Sequence, residues 1–345
     1  MTSRPPARPL VIGHRGASGY RPEHTLGAYE LAARLGADDL EPDLVATRDG
    51  VLVARHESEI TFTTDVARHR ELADRRTTKE VDGLERTGWF VEDLTLAELR
   101  TLRAVERLPH LRPRSAGHDR TEQVPTFAEV LQLRERLSEK LDREIGVYPE
   151  TKHPTHFAGL GVPLEEPLVD LLDLHGLNRA DAPVFVQSFE LDNLVAMRTR
   201  LGLRARTVFL LARPEGYGVP APPDDAHLTR LARAGIDGLG PHLELVLAPG
   251  EDGELVDTGL VERAHAAGLV VHPWTFRAEN TFLLPPFRSG DDPSAHGDLA
   301  GQVTAFLDVG VDGLFVDHVD VAVATVAARW PQPALVSQRS PGRPV

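Results

Sequence analysis

Short apolar runs recur along the chain, and most are followed by a segment with apolar residues at helical spacing. Each run ends in polar or chemically reactive residues. The eight runs lie at 10–13, 39–45, 144–150, 184–189, 207–211, 236–240, 269–274 and 313–317. Short, continuous apolar runs are typical of strands buried on both faces. We therefore predict eight strands.

Helical segments separate the predicted strands. Three of them lie at 26–35, 191–201 and 228–234, each next to a glycine. Thr126 and Glu129 form a capping-box pattern that begins a further helix running through Leu133. Repeated alternation of strand and helix in a chain of 345 residues favours a (β/α)8 TIM barrel over a doubly wound sheet.

The chain is longer than an ordinary barrel of about 250 residues, and the excess is concentrated in one charged stretch. We predict an insertion at about 57–124, after the second strand, with a helical piece at 95–102. Segments rich in proline and glycine at 213–223 and 284–297 are expected to form loops at the barrel mouth. The predicted boundaries are a disordered lead over 1–8, a single barrel domain over 9–330 and a disordered tail over 331–345.

The composition, with 41% hydrophobic and 26% charged residues, is that of a globular protein. A formal net charge of −14 argues against a nucleic-acid partner or a broad surface for anionic membranes. No segment approaches the roughly 20 apolar residues of a membrane span, so we expect no stable membrane anchor. The first residues lack the apolar core of a signal peptide, so we expect a cytoplasmic protein, or an exported one if a signal segment was removed.

Carboxylates cluster at the ends of two predicted strands. Residues two apart on a strand point to the same face, so Glu41 and Asp43 project together. On the third strand the same rule joins Glu150 with Lys152. Oxygen ligands suit one Ca²⁺ or Mg²⁺ ion better than zinc, and Lys152 is a candidate phosphate partner.

Two histidines and an arginine complete a set that can cleave a phosphate ester. His14 and His56 are candidate proton carriers, because a phosphodiester needs a base at the attacking oxygen and an acid at the leaving oxygen. Arg15 can bind two phosphoryl oxygens at once. A lone histidine at a strand end is more often structural. The hypothesis rests on joint placement, since these groups fall at the ends of successive strands, where barrel active sites lie.

Further candidates for substrate binding lie at the ends of two later strands. Gln187 and Phe189 share a face of the fourth strand, and Trp274 shares a face of the seventh with His272. The aromatic side chains of Phe189 and Trp274 could fill the barrel or form a ligand wall. A buried Gln187 amide must find polar partners.

Eight sequence blocks follow one another in the order found in a known family. They lie at 11–18, 22–25, 40–50, 124–127, 148–152, 187–189, 270–275 and 313–317. In these blocks the chain resembles the glycerophosphodiester phosphodiesterase family, and most of all its longer bacterial, periplasmic-type branch. The resemblance extends over nearly the whole chain.

The resemblance implies a TIM barrel that hydrolyses glycerophosphodiesters, such as glycerophosphocholine and glycerophosphoethanolamine, to sn-glycerol 3-phosphate and an alcohol. The expected partner is therefore a small molecule. The implied roles are Ca²⁺ or Mg²⁺ binding by Glu41, Asp43 and Glu150, acid and base catalysis by His14 and His56, phosphate contacts from Arg15 and Lys152, a glycerol-side wall of Phe189 and Trp274, and a polar position at Gln187.

Two departures from the family pattern leave the substrate preference open. His56 is followed by Glu57, where the family usually has aspartate, and 316–320 reads Val-Asp-His-Val-Asp in place of Thr-Asp-x-Pro-Asp. Two alternatives remain beside the implied function. One is a phospholipase D-like lyase acting on lysophospholipids. The other is a non-catalytic binding barrel, against which the complete set of ligands and histidines argues.

Overall fold

The computed structural model, which describes residues 8–212, 222–250 and 252–331, confirms the predicted TIM barrel. The strands are β1 (Leu10–His14), β2 in two pieces (Asp39–Glu41 and Asp43–Ala46), β3 in two pieces (Gly146–Val147 and Glu150–Thr151), β4 (Phe185–Ser188), β5 (Arg206–Leu211), β6 (Gly238–Pro241), β7 (Val270–Val271) and β8 (Gly313–Val316). The surrounding helices are α1 (Leu26–Leu35), α2 (Phe127–Lys140), α3 (Glu165–Leu174), α4 (Leu191–Arg200), α5 (Asp225–Arg233), α6 (Leu260–Ala266), α7 (Leu299–Asp308) and α8 (Val319–Arg329).

The barrel strands run parallel and close into a ring. β1 pairs with β8 on one side and with β2 on the other, and pairing continues from each strand to the next as far as β7. The ring closes where the Asp312 amide donates to the Val271 carbonyl at 2.9 Å. Because the strands are parallel, their carboxyl ends meet at one mouth of the barrel.

The predictions of unbroken strands over 39–45 and 144–150 are wrong at one point each. β2 is interrupted at Pro42, and β3 at the pair Tyr148-Pro149. Proline has no amide hydrogen for a ladder bond. Pairing resumes beyond each break, and the Glu150 amide donates to the Pro42 carbonyl at 2.9 Å.

Local capping sets the helix starts. Thr126 and Glu129 form the predicted capping box at the start of α2. This helix continues beyond its predicted end to Lys140, because Leu137 extends its buried face. α5 begins earlier than predicted, at Asp225, because the Asp224 side chain accepts the His227 amide and caps the helix.

Aromatic and aliphatic side chains fill the inside of the barrel. The cluster consists of Ile12, Tyr148, Phe185, Val208 and Phe315. The Tyr148 ring stacks on Phe185 with centroids 5.0 Å apart and meets Phe315 edge-on at 4.9 Å. Phe315 also lines the cavity at the mouth, so this cluster forms the floor of that cavity.

His272 is buried in the barrel interior, and its titration should make the fold sensitive to acid. Its Nδ1 lies 2.8 Å from the Tyr148 hydroxyl, and burial lowers its pKa from 6.5 to about 4. Between these values the unfolded chain takes up a proton that the folded protein does not. The free energy of unfolding therefore falls as the pH drops from 6.5 towards 4. A shift of this size corresponds to about 3 kcal/mol.

The substitution His272→Gln is expected to reduce this loss of stability, which urea unfolding across the same pH window would measure. Tyr148→Phe removes the partner hydroxyl but keeps the buried imidazole, so it should retain the wild-type pH dependence. If His272→Gln and the wild type lost stability in parallel, the buried imidazole would not be the source of the effect.

The segment 57–124 is mostly irregular. Three strands near or within it are not predicted from the sequence: Leu52–Ala54, which pairs antiparallel with β2, and the hairpin of Thr77–Val81 and Leu84–Gly88. The hairpin is largely exposed, so it has no apolar run to reveal it. The helix predicted over 95–102 is limited to Leu96–Leu99, although its capping box of Thr95 and Glu98 is present.

Arg8 is part of the folded structure, which shortens the lead predicted over 1–8. Its NH1 donates to both carboxylate oxygens of Asp38, at 2.9 and 2.7 Å. The remaining residues 1–7, residues 332–345 of the predicted tail and residues 213–221 of one predicted mouth loop lie outside the described residues. Within the described ranges, no helix combines the length and apolar character needed to cross a membrane.

Candidate active site

The chain turns sharply where β1 ends, and this turn positions the first site residues. His14 is the last residue of β1, and the next two residues have positive φ, 57° at Arg15 and 90° at Gly16. A Cβ on Gly16 would lie 2.6 Å from the carbonyl carbon of Ala28, so the turn requires glycine. The turn directs the Arg15 amide to Glu41, whose Oε2 accepts it at 2.7 Å.

Strand register brings the three predicted metal ligands together at the mouth. His14 is paired with Glu41 across β1 and β2, and Asp43 with Glu150 across β2 and β3. Ligand oxygens of Glu41, Asp43 and Glu150 all lie within 4.8 Å of one another, and all three side chains are buried. Glu41 and Asp43 therefore form one compact oxygen cluster with Glu150, which is distant from them in sequence.

The three buried carboxylates differ in protonation because burial and the neighbouring charges balance differently at each of them. Burial, followed by the charges of Asp43 and Glu150, raises the pKa of Glu41 well above its usual value. Burial likewise raises the pKa of Glu150 to about 8. Burial alone would raise the pKa of Asp43 as well. The charge of Lys152 and a hydrogen bond from His24 outweigh burial and hold the pKa of Asp43 well below its usual range.

Two basic side chains flank the carboxylate cluster. The Nζ of Lys152 lies 2.6 Å from Glu150 Oε1 and 3.3 Å from Asp43 Oδ1. NH1 of Arg15 lies 3.0 Å from Glu23 Oε2, and its Nε lies 3.4 Å from Asp43 Oδ2. Both cations are buried and line the cavity, so they present fixed positive charge to an anion that enters it.

Each of the two predicted proton carriers is held by a carboxylate through Nδ1. His14 Nδ1 lies 2.7 Å from Asp317 Oδ1, and His56 Nδ1 lies 2.7 Å from Glu57 Oε1. Glu57 therefore reaches its histidine although it is one methylene longer than the usual aspartate. Among the described residues, neither Nε2 atom has a hydrogen-bond partner, which leaves both available on the side away from the carboxylates.

Both imidazoles are neutral at neutral pH in the ligand-free protein. Desolvation, followed by the charge of Arg15, lowers the pKa of His14 to about 4. The same two causes lower the pKa of His56 to about 3. A neutral imidazole with an available Nε2 can accept a proton, which is the requirement for a general base.

Arg107, in the 57–124 segment, binds the carboxylate of Glu57, which in turn orients His56. Arg107 NH2 donates to Glu57 Oε2 at 2.5 Å and to Glu23 Oε1 at 2.6 Å. Arg107 thereby links the Glu57–His56 pair to Glu23, the partner of Arg15. Nothing in the sequence around Arg107 indicates this role, because its partners are 50 and 84 residues away along the chain.

Asp317 is the centre of a second buried network. It accepts hydrogen bonds from NH2 of Arg112 at 2.6 Å and from Nε of Arg277 at 3.0 Å, in addition to its contact with His14. Arg112 also belongs to the 57–124 segment and is not predicted from the sequence. The positions of Asp317 and Arg277 in the sequence could have indicated a role in the site. Asp317 follows the end of β8 and Arg277 lies in the segment after β7, where site residues of a barrel are expected.

These groups surround one cavity of about 300 Å³ at the barrel mouth. Its lining consists of His14, Arg15, Glu41, His56, Glu150, Lys152, Gln187, Phe189, Leu210, Trp274, Thr275, Arg277 and Phe315. Asp43 is not among these residues but lies beside Glu150 in the carboxylate cluster. The structure thus brings every sequence-predicted site residue to this cavity or directly next to it.

The two aromatic candidates form a wall of the cavity. Phe189 and Trp274 meet edge to face with ring centroids 5.8 Å apart. The indole nitrogen of Trp274 donates to the Gly240 carbonyl at 2.7 Å, which fixes the ring. Next to them, Gln187 donates to Glu41 at 3.2 Å, while its own buried oxygen has no partner among the described residues.

Comparison with known proteins gives a family match over most of the chain. The model of the glycerophosphoryl diester phosphodiesterase family matches residues 14–321. The chain is 33% identical to glycerophosphodiester phosphodiesterase GDPD6 of Arabidopsis thaliana over 90% of its length and 84% of that protein. It is 29% identical to a glycerophosphodiester phosphodiesterase of Haemophilus influenzae over 91% of its length and 88% of that protein.

The fold is also similar to that of solved structures. One is an Oleispira antarctica phosphodiesterase in complex with the product sn-glycerol-3-phosphate. It matches with a TM-score of 0.62 at 21% identity, over 92% of this chain and 96% of that one. A glycerophosphodiester phosphodiesterase from Agrobacterium tumefaciens matches with a TM-score of 0.56 at 20% identity, over 92% and 99% of the two chains. Similarity at this level of identity shows the fold.

Proposed function

Because the chain belongs to the glycerophosphoryl diester phosphodiesterase family and is thus a glycerophosphodiester phosphodiesterase, we propose that it hydrolyses glycerophosphocholine and glycerophosphoethanolamine to sn-glycerol 3-phosphate and an alcohol. In this proposal the reaction depends on one divalent cation and on His14 and His56. The observation that carries it is one cavity lined by two carboxylate-held histidines, with a cluster of three carboxylates in or directly beside its wall. The product named for the Oleispira antarctica structure supports the choice of substrate class.

Glu41, Asp43 and Glu150 would hold the cation. Asp43 Oδ1 and Glu150 Oε1 are buried and lack an aligned hydrogen-bond donor, although the Lys152 ammonium lies within ion-pair distance of both. Such oxygen-only donors fit Ca²⁺ or Mg²⁺. When bound, the cation supplies positive charge that polarises a phosphoryl oxygen.

Arg15 and Lys152 would bind the phosphoryl oxygens. Their charges are fixed in the cavity wall by Glu23, Asp43 and Glu150, so little reorganisation is needed when negative charge develops in the transition state. Phe189 and Trp274 would contact the apolar edge of the glycerol, and the unpartnered oxygen of Gln187 would accept a hydrogen bond from a hydroxyl group.

His14 and His56 would move the protons. One imidazole accepts the proton of the attacking oxygen through Nε2 as the new bond to phosphorus forms. The other donates a proton to the alcohol oxygen as its bond to phosphorus breaks. The negative charge of a bound phosphodiester raises the pKa of a neighbouring imidazole, which favours the protonated form that the acid requires. Asp317 and Glu57 orient the two rings through Nδ1.

A substrate comparison tests this proposal. The purified protein is incubated with divalent cation and either glycerophosphocholine or lysophosphatidylcholine, and sn-glycerol 3-phosphate and choline are measured. We expect sn-glycerol 3-phosphate and choline from glycerophosphocholine. Cleavage of lysophosphatidylcholine with no reaction of glycerophosphocholine would instead favour the phospholipase D-like alternative.

Removing the charge of Glu41 should weaken binding of the cation without unfolding the protein. Glu41→Gln keeps the acceptor for the Arg15 amide but supplies no carboxylate, so we expect affinity for Ca²⁺ or Mg²⁺ to fall at least about tenfold. The metal-free variant should be about as stable as the wild type, because the raised pKa of Glu41 already keeps this side chain largely uncharged when no cation is bound. Isothermal titration calorimetry and thermal unfolding measure both effects.

Glu190→Gln is the matched control, since Glu190 lies next to Phe189 and bonds Thr155 but is not part of the carboxylate cluster. It should bind the cation as the wild type does. Unchanged affinity in Glu41→Gln would remove Glu41 from the set of ligands.

A further inference from the structure

A second cluster of metal-ligating side chains lies beside the barrel mouth, outside the cavity. It consists of Glu279, His296 and His318, and one ligand atom from each lies within 4.8 Å of the other two. None of the three lines the catalytic cavity. We propose that Glu279, His296 and His318 form a second metal centre, which binds a first-row transition metal ion of the Zn²⁺ type.

The backbone fixes two of the three ligands opposite each other. Glu279 and His296 are partners in an isolated antiparallel bridge. The loop between them is held by Asn280, whose Nδ2 donates to the carbonyls of Ser289 at 2.8 Å and Asp292 at 2.9 Å. The two ligands therefore keep their relative position without help from a metal.

The third ligand is fixed by packing. His318 is 1% exposed, and its ring lies edge-on to Tyr20 and to His296, with centroids 5.1 and 5.0 Å away. A Cβ on Gly19 would come within 2.6 Å of His318 Nε2, so the glycine leaves the space that the ring occupies. Nδ1 of His318 accepts only a long hydrogen bond, 3.3 Å, from the Ala278 amide, so a metal ion at Nδ1 would replace a weak donor.

The three side chains are close to one another without being bonded to one another. Across the described residues, no hydrogen bond or ion pair joins Glu279, His296 and His318, and the His296 ring nitrogens have no hydrogen-bond partner. Ligands of a tetrahedral ion at about 2.1 Å are about 3.4 Å apart. Small side-chain rotations would bring the three atoms from their present spread to that spacing.

The donor set selects the kind of metal. Two imidazoles and one carboxylate are typical of Zn²⁺ and neighbouring transition metals, whereas the oxygen-only cluster at Glu41 suits Ca²⁺ or Mg²⁺. Arg112 bonds the Glu279 carboxylate through Nε at 2.5 Å and NH2 at 3.3 Å. A hydrogen-bonded carboxylate of this kind is the usual outer support of a metal ligand.

The proposed centre is connected to the catalytic cavity through this arginine. Arg112 also donates to Asp317 at 2.6 Å, and Asp317 lies 2.7 Å from His14 Nδ1. Glu279, Arg112, Asp317 and His14 thus form one continuous buried chain of contacts. A metal ion bound at Glu279 would share the carboxylate with Arg112 and so act, through Arg112, on the group that orients His14.

Co²⁺ binding in the presence of saturating Mg²⁺ tests the proposal, because Mg²⁺ fills the oxygen cluster and Co²⁺ bound by imidazole has a visible absorption band. Equilibrium dialysis should find one Co²⁺ per chain in the wild type. His296→Ala, at an exposed position, should weaken Co²⁺ binding at least about tenfold and abolish the band. Zn²⁺ should displace Co²⁺ and raise the Tm of the wild type but not of His296→Ala.

Two variants serve as controls. His110→Ala removes an exposed histidine of the 57–124 segment, outside the proposed centre, and should retain the band. Glu41→Gln should retain it as well, because the oxygen cluster is a separate site. The proposal is overturned if the wild type binds no Co²⁺ under these conditions, if His296→Ala binds it as tightly as the wild type, or if Glu41→Gln is the variant that loses the band.

Discussion

Replacing His56 by alanine is expected to lower kcat by about 10²–10⁴-fold while leaving the protein folded. The imidazole lines the cavity, is oriented by Glu57 at 2.7 Å and has an available Nε2, so its loss removes one of the two proton carriers. Its side chain is 28% exposed, and its replacement should therefore leave no large internal void. Turnover of glycerophosphocholine and circular dichroism measure the two expectations.

His69→Ala is the matched control for this substitution. His69 also pairs with acidic residues, Asp65 and Glu71, but it lies in the 57–124 segment away from the cavity lining. We expect it to retain wild-type kcat. Activity close to wild type in His56→Ala would exclude His56 from the mechanism.

The substitution Asp317→Asn is expected to reduce both activity and stability. Asp317 orients His14 and balances the buried charges of Arg112 and Arg277, and asparagine keeps its shape but not its charge. We expect kcat to fall by about 10²–10⁴-fold, as when an orienting aspartate of a catalytic histidine is neutralised. Breaking buried ion pairs should lower the free energy of unfolding by about 3–5 kcal/mol.

The pH profile separates the orienting role of Asp317 from a purely structural one. The carboxylate acts to raise the pKa of His14, so without it the acidic limb of the kcat/KM profile should move to lower pH. Asp312→Asn is the control. Asp312 Oδ2 lies 2.8 Å from Nε2 of the partly exposed His265, and neither residue lines the cavity. An unshifted profile in Asp317→Asn would show that the residue supports the fold alone.

The barrel could be predicted because its strands are buried on both faces, so each leaves an apolar run in the sequence. Where a local feature overrides that pattern, the prediction fails. Pro42 and Pro149 interrupt the ladder without interrupting the apolar run. The exposed hairpin of Thr77–Val81 and Leu84–Gly88 has the opposite property, since it forms backbone pairs without an apolar run.

Much of the candidate site was predictable because parallel strands end at one mouth. Residues at the ends of β1, β2, β3 and β4 therefore converge whatever their separation in sequence, as Glu41 and Glu150 do. The side chains that hold these groups were not predictable. Arg107 and Arg112 come from an irregular segment, and Arg112 reaches Asp317 across 205 residues. Their roles depend on how that segment packs, which no periodicity in the sequence encodes.

The most direct test of the central claim is the release of sn-glycerol 3-phosphate from glycerophosphocholine and glycerophosphoethanolamine by protein treated with EDTA, before and after Ca²⁺ or Mg²⁺ is restored. His14→Ala is assayed in parallel. We expect no release after EDTA, recovery with one of the two cations, and release reduced to a small residual rate in the variant. Full release without any cation, or equal release by His14→Ala, would contradict a metal-dependent reaction catalysed by this pair of histidines.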